Sequence, residues 1–208
     1  MEKSPLLACS AETLMKSSVK SKVRHGAQRA SYLRADVYQL IDDLKLGHIA
    51  FVSNGHAVVI PMTIWRIEDA LYLHVVNKSR LQKHLEAKQE ICISFAESKE
   101  WVLAKSAFRH SANYRSAVLY CSGERIIDED EFDHAFKVII EQIEPGRWQH
   151  IRPPSKQERK GTALMRLAID EGAFKARKGG PNEIKEDLEL PVWHGVVPIK
   201  AGCPYHQE

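Results

Sequence analysis

Residues 71–85 read Leu-Tyr-Leu-His-Val-Val-Asn-Lys-Ser-Arg-Leu-Gln-Lys-His-Leu. The run opens as an apolar strand and turns through Asn77-Lys78-Ser79-Arg80 directly into a helix. At about 100° per residue, Ser79, Arg80 and Lys83 share one face of that helix, and Leu81 and Leu85 lie on the opposite side. A helix start offers unpaired N–H groups and a partial positive charge. Hydroxyl, guanidinium and ammonium therefore converge where a phosphate could sit. The plainer alternative is an N-cap serine followed by ordinary solvated cations.

Strand-like runs crowd both sides of this segment, at 48–53, 57–66, 70–76, 90–96, 101–108 and 114–123. Their connections are short, and Asn54-Gly55 is a strong hairpin signal. Only the helix after Ser79 interrupts the series. So many strands with so little helix between them indicate an antiparallel sheet or barrel and exclude a doubly wound parallel sheet. The run Val58-Val59-Ile60-Pro61-Met62-Thr63-Ile64-Trp65 is apolar on both faces, so one face meets the core and the other a partner, a ligand or a second subunit. Pro61 cannot donate to a ladder, which makes its strand an edge or a locally opened strand. A flat ligand could meet backbone there; an edge proline with no ligand is the alternative.

Helical spacing predicts an amphipathic helix at 34–44, with Val37, Leu40, Ile41 and Leu44, and another at 129–143, with Phe132, Phe136, Ile139, Ile140 and Ile143. The second stops at Pro145-Gly146. A returning strand is expected at 162–169, an exposed charged connection at 175–189 and a last strand at 191–199. The first 33 residues read as polar and poorly ordered. One domain is therefore expected over 31–200, between a polar tail at 1–30 and a short tail at 201–208.

The 208 residues are 44% hydrophobic and 27% charged with a net charge of +3, which is ordinary globular composition. That charge argues for neither nucleic acid nor membrane as a partner, and no apolar run reaches the roughly 18 residues of a membrane span. The patch Leu6-Leu7-Ala8-Cys9 is too short for a signal-peptide core, and Glu2 and Glu12 argue against a transit peptide. Cys9, Cys92, Cys121 and Cys203 have no paired spacing, which points to reduced thiols in a cytoplasm. None of the ten histidines shares a metal-ligand spacing on a predicted helix, so no metal site is expected. Gly-x-Gly-x-x-Gly, Walker and Gly-x-Ser-x-Gly signatures are absent.

The polar segment Arg109-His110-Ser111-Ala112-Asn113-Tyr114-Arg115-Ser116 runs into an apolar strand. Period-2 alternation puts Tyr114, Ser116 and Val118 on one face and Arg115, Ala117 and Leu119 on the other. Burying Arg115 requires a partner, so the segment is either a turn with a structural arginine pair or a polar rim around a ligand.

The Val-Val-Ile-Pro strand, the Leu-Tyr-Leu-His strand, the Ser-Arg-x-x-Lys helix and His-Ser-x-Asn-Tyr-Arg-Ser, in this order, resemble the pyridoxamine 5′-phosphate oxidase-related FMN-binding split-barrel family. The match is to its flavin-nucleotide-binding and nitroimidazole-resistance-like branch. The resemblance covers residues 29–199, including Arg152-Pro153-Pro154-Ser155 and the run from Leu190 to Pro198. It implies a mainly β protein with flanking helices: a six-stranded antiparallel split barrel, forming a homodimer with FMN at the subunit interface. It further implies a phosphate held by Ser79 and Arg80, with Leu81 where related oxidases keep a lysine and Lys83 able to replace that charge. Ile60, Pro61, Met62 and Thr63 would contact the ring, and His74 and Val75 would stand beside it. Tyr114, Arg115 and Ser116 would form a polar rim, and Trp193 would close over the flavin from the other subunit. The expected function is that of an FMN-dependent oxidoreductase of unspecified substrate. A flavin carrier or sensor without turnover, or a haem- or deazaflavin-binding split barrel, are the alternatives. The C-terminus lacks the arginine- and histidine-bearing motif of the vitamin-processing members, which argues against oxidation of pyridoxamine phosphate.

Overall fold

A computed structural model describes residues 13–169 and 171–199; the expected 201–208 tail and the 6–9 patch lie outside the described residues. In chain order the elements are β1 (Ala30–Ser31), α1 (Arg34–Leu44), β2 (Leu46–Ser53), β3 (His56–Thr63), β4 (Trp65–Ile67) and β5 (Ala70–Val76). Then come α2 (Arg80–Glu86), β6 (Ile91–Leu103), β7 (Ser111–Cys121), β8 (Gly123–Arg125) and α3 (Glu129–Ile143). The last are α4 (Lys156–Gly161), β9 (Thr162–Ala168), β10 (Glu171–Arg177) and β11 (Gly195–Pro198).

Two antiparallel sheets result, ordered β1-β10-β7-β6-β2-β3 and β4-β5-β9-β8, with β11 pairing β6 beyond the end of β2. The protein is thus mainly β with flanking helices, a split barrel. Both long helices begin and end where helical spacing placed them. The Asn54-Gly55 turn has positive φ at both positions, 52° and 76°, as a two-residue hairpin requires. β3 is an edge strand, which accommodates Pro61.

Inward side chains from both sheets and α1 form one core, with Leu40, Ile41, Ile49, Ile64, Leu71, Leu73, Phe95 and Leu119 fully buried. Gly47 lies against this core because a Cβ there would meet Ile64 at 2.7 Å and the Phe95 ring at 2.9 Å. Phe95→Ala is expected to cost about 3–5 kcal/mol, read as a lower denaturant midpoint with an unchanged slope. A second cluster packs Phe132, Ala135 and Ile139 of α3 onto Trp65, Tyr72, Ile126 and Leu164.

Four expectations change. Among the described residues there are eleven strands rather than six: seven longer ones, β2, β3, β5, β6, β7, β9 and β10, with the short β1, β4 and β8 ending the sheets and the short β11 added to β6. The two runs at 90–96 and 101–108 are largely one strand, β6, kinked by a register shift between Ser98 and Glu100; a bulge breaks alternation without ending a strand. The charged 175–189 stretch is not all connection, because Lys175–Arg177 completes β10 against β7. From residue 13 the polar N-terminal stretch packs on the barrel: Met15 is buried, Leu14 bridges Leu33 and Lys16 bridges Glu171. Cys92 and Cys121 are free thiols. No helix among the described residues is long and apolar enough to cross a membrane.

Candidate functional site

β3 pairs β2, whereas β4, one residue further on, pairs β5. The chain therefore leaves one sheet for the other at Ile64, whose N–H donates to the Lys45 carbonyl at 2.7 Å. The β4–β5 register joins Trp65 to Tyr72 and Ile67 to Ala70. Continued backwards, it would set Thr63 opposite His74 and Pro61 opposite Val76, but no ladder forms there. The free edge of β3 and the last residues of β5 are thus left without pairing to each other, and this split between the sheets is the slot. Unpaired backbone groups line one side of it, and Pro61 has no N–H to leave unsatisfied.

Pleating sorts the candidate residues. Pro61, Thr63 and His74 are exposed on the outer face. Ile60 and Met62 pack against the core and Val75 is buried in it, so only their backbone can meet a ligand in the slot. His74 lies beside Phe136, ring centroids 6.3 Å apart, and Phe136 stacks on Phe132 at 4.8 Å. Those two rings, with Ile140, Trp148, Ile151 and Pro154, line an apolar groove of about 390 Å³ next to the slot.

α2 follows the slot. It has seven residues, so its end contributes less than a long helix would and side-chain charge carries more. Ser79 is its N-cap, its Oγ accepting from the Gln82 N–H at 3.2 Å; its own O–H remains available as a donor. Arg80 and Lys83 are exposed, one turn apart, and neither forms an ion pair among the described residues. With Val52, Asn54, Gly55, His84 and Gln89 they line an open cleft of about 710 Å³. The β2–β3 turn and the far side of α2 thus join this cleft only through folding, and no local pattern marks His84 or Gln89.

Tyr114, Arg115 and Ser116 stand elsewhere, on β7, three strands from β3. Arg115 is bound to Glu97 and to Asp43 of α1, its Nε donating to Glu97 at 2.6 Å and its Nη1 to Asp43 at 2.8 Å. Hydrogen bonds from Arg115 hold the Asp43 carboxyl below its ordinary range. Burial opposes ionisation of Glu97, and bonds from Arg115 and Lys99 outweigh it. Both carboxyls therefore stabilise the fold fully above the ordinary carboxylate range and lose that contribution as pH falls below it. Ser116 Oγ donates to the Lys175 carbonyl at 3.2 Å. Trp193 is 63% exposed, over Gly195, where a Cβ would meet the indole at 2.6 Å.

On the outer face of the seven-stranded sheet, the part made by β3, β2, β6 and β7 is left largely open among the described residues, whereas Ala173 of β10 is buried and Lys20 lies over the Tyr120 ring. Pro61, His48, Ser94 and Val118 form a row across it, flanked by the exposed apolar Leu46, Val52 and Val59.

The model of the family described as pyridoxamine 5′-phosphate oxidase matches residues 34–176. Among solved structures, the flavocytochrome Anf3 from Azotobacter vinelandii is 32% identical at a TM-score of 0.83, with 89% of this chain and 86% of that one covered. The FAD and haem binding protein from Mycobacterium smegmatis is 29% identical at a TM-score of 0.77, covering 85% and 87%. A Bacteroides thetaiotaomicron protein, a candidate for 5-nitroimidazole antibiotic resistance, shares the fold at 18% identity and a TM-score of 0.60, covering 71% and 86%. No curated protein matches the chain.

Proposed function

The chain belongs to the pyridoxamine 5′-phosphate oxidase family, and from that premise we propose that it is a flavin-binding oxidoreductase, a homodimer with FMN at the subunit interface. The observation that carries this reading is the pair of cations, Arg80 and Lys83, which make no ion pair among the described residues and open together on one cleft beside the β2–β3 turn. Two cations and a serine hydroxyl suit the single phosphate of FMN. The slot's free backbone and the outward Pro61 and Thr63 suit a flat ring. A bound flavin supplies the electron and hydride chemistry. The chain's residues hold the phosphate, seat the ring against backbone and exclude water.

The dimer reading rests on reach. β11 pairs β6 at Leu103, nine residues along that strand from Ser94 in the Pro61 row. At about 3.3 Å per residue that is roughly 30 Å of strand, so in the proposed complex Trp193 would reach a flavin at Pro61 only from a second subunit. The uncovered sheet face is the surface on which two subunits join. The free thiols Cys92 and Cys121 support a reducing, cytoplasmic setting.

A second cofactor is favoured by one specific feature. His74 presents an imidazole on the outer face beside the aromatic groove of Phe132, Phe136 and Trp148, and the relatives at 32% and 29% identity are named for flavin with a cytochrome or haem. An apolar wall and a single histidine are the parts a haem site needs.

Freshly purified protein should be yellow and release FMN on denaturation, identified by chromatography. A haem band should accompany the flavin and vanish in His74→Ala while the flavin stays. A colourless protein that ignores added FMN and FAD sinks the flavin reading; release of FAD corrects the nucleotide.

A further inference from the structure

Of the residues that line the open cleft beside the β2–β3 turn, three are basic, Arg80, Lys83 and His84, and none carries a carboxylate. All three come from α2, with Arg80 and His84 one turn apart on the same face. His84 is fixed from two sides. Its ring packs on the buried Phe51 of β2, centroids 5.1 Å apart. Its Nε2 lies 3.1 Å from the Glu90 carbonyl, and its own carbonyl accepts from the Gln89 N–H at 3.2 Å. The chain makes this return through Lys88, at a φ of 55°.

A carbonyl oxygen only accepts, so the contact with Glu90 requires a hydrogen on Nε2. That settles what the other nitrogen can do, and Nδ1 has no partner among the described residues. In the neutral ring Nδ1 is a lone pair, which repels the oxygen of an anion. In the imidazolium it is a second N–H donor. The charged groups around the ring are Arg80 and Lys83 on its own helix and Glu90, whose carboxylate pairs with Lys20. Behind α2, Glu86 and Lys88 pair with Arg125 and Glu124 of β8 at 3.7 and 3.9 Å. The β2–β3 turn adds Ser53, Asn54 and Gly55, which carry no charge. An anion to match a protonated His84 therefore has to arrive with the ligand.

We propose that His84 is the third phosphate-binding side chain of this cleft, a donor only as the imidazolium, so that a phosphomonoester enters together with one proton from solvent. The inference rests on the flavin reading above, which puts the FMN phosphate at Arg80 and Lys83. Nδ1–H donates to a phosphate oxygen while Nε2–H keeps the ring on the Glu90 carbonyl. A phosphomonoester is mostly dianionic above its second pKa of about 6, so its own charge changes little in mildly alkaline solution. A histidine is the side chain that loses its charge near neutrality. As pH rises, the Nδ1 donor gives way to a lone pair, and the phosphate loses one of its contacts.

Titrations of the full chain, freed of flavin, test this. FMN should bind about tenfold more weakly at about pH 8.5 than at about pH 7. Calorimetry in buffers of different ionisation enthalpy should find a proton taken up with each FMN. Riboflavin, which has no phosphate, should show neither effect. In His84→Gln, whose amide can still meet the Glu90 carbonyl, FMN affinity should fall about tenfold at neutral pH and lose its pH dependence, with circular dichroism as the folding check. Proton NMR of the unsubstituted protein reads the same event without a variant: the His84 ring should keep its second proton to a higher pH with FMN than without it. Protein that binds neither FMN nor FAD overturns the flavin reading and this one together. FMN binding without proton uptake overturns this inference alone, as does a pH dependence that riboflavin shares or that His84→Gln keeps.

Discussion

Arg80→Glu is expected to strip the flavin from a protein that stays folded. Arg80 is exposed on α2, and no ion pair within the described residues depends on it, so its loss leaves the core untouched. In the proposed complex it contributes charge-assisted hydrogen bonds to phosphate, each worth about 1.5–3 kcal/mol. Removing two of them and placing a carboxylate against the anion should weaken FMN binding by about 100-fold or more. Titration of the apoprotein by flavin fluorescence, with circular dichroism as the folding check, reads the effect. Lys83→Ala should cost about tenfold, which would show that Lys83 supplies the charge missing at Leu81. An unchanged affinity in Arg80→Glu would place the phosphate elsewhere.

The second large effect is expected from the uncovered sheet face. Val59 is 62% and Val118 39% exposed on the same side of one sheet, with Leu46 and Val52 between or beside them. In the proposed dimer these exposed apolar side chains would be taken out of water. Val59→Lys combined with Val118→Lys would bury two unpaired ammonium groups in a dimer, at several kcal/mol each, while each side chain remains harmless on a lone subunit. The wild type should sediment as a dimer and the double variant as a monomer with an unchanged far-ultraviolet spectrum. The monomer should also lose its flavin, because Trp193 would no longer reach the site. A dimeric double variant would move the interface to another face, and a monomeric wild type would end the shared-site reading.

Different parts of this protein were legible to different degrees. Both long helices could be bounded to the residue because their apolar positions recur at helical spacing and Pro145-Gly146 stops the second; in the structure Lys45, with positive φ, ends α1 and Asp128 caps α3. Alternation on β7 separated Tyr114 and Ser116 from Arg115 correctly. β6 was read as two strands because its register shift interrupts the alternation that the reading relies on. The N-terminal segment was unreadable for another reason: its one buried apolar anchor among the described residues, Met15, has no periodic neighbours.

The candidate site shows the same division. The strand-turn-helix of residues 71–85 and the edge character of Pro61 follow from local chemistry, since N-cap geometry and the missing proline N–H act within a few residues. Those 15 residues by themselves determined that a strand feeds a polar helix start, and the chain as a whole determined an antiparallel β protein. Only the tertiary structure decided what the polar groups do. It separated β3 from β5 at Ile64, and left Arg80 and Lys83 without an ion pair among the described residues while giving Arg115 two carboxylates. It also buried Glu183 against His194, 11 residues further on. Charge pairing and burial depend on which strands become neighbours, and that choice is made by the packing of the whole barrel rather than by any one segment.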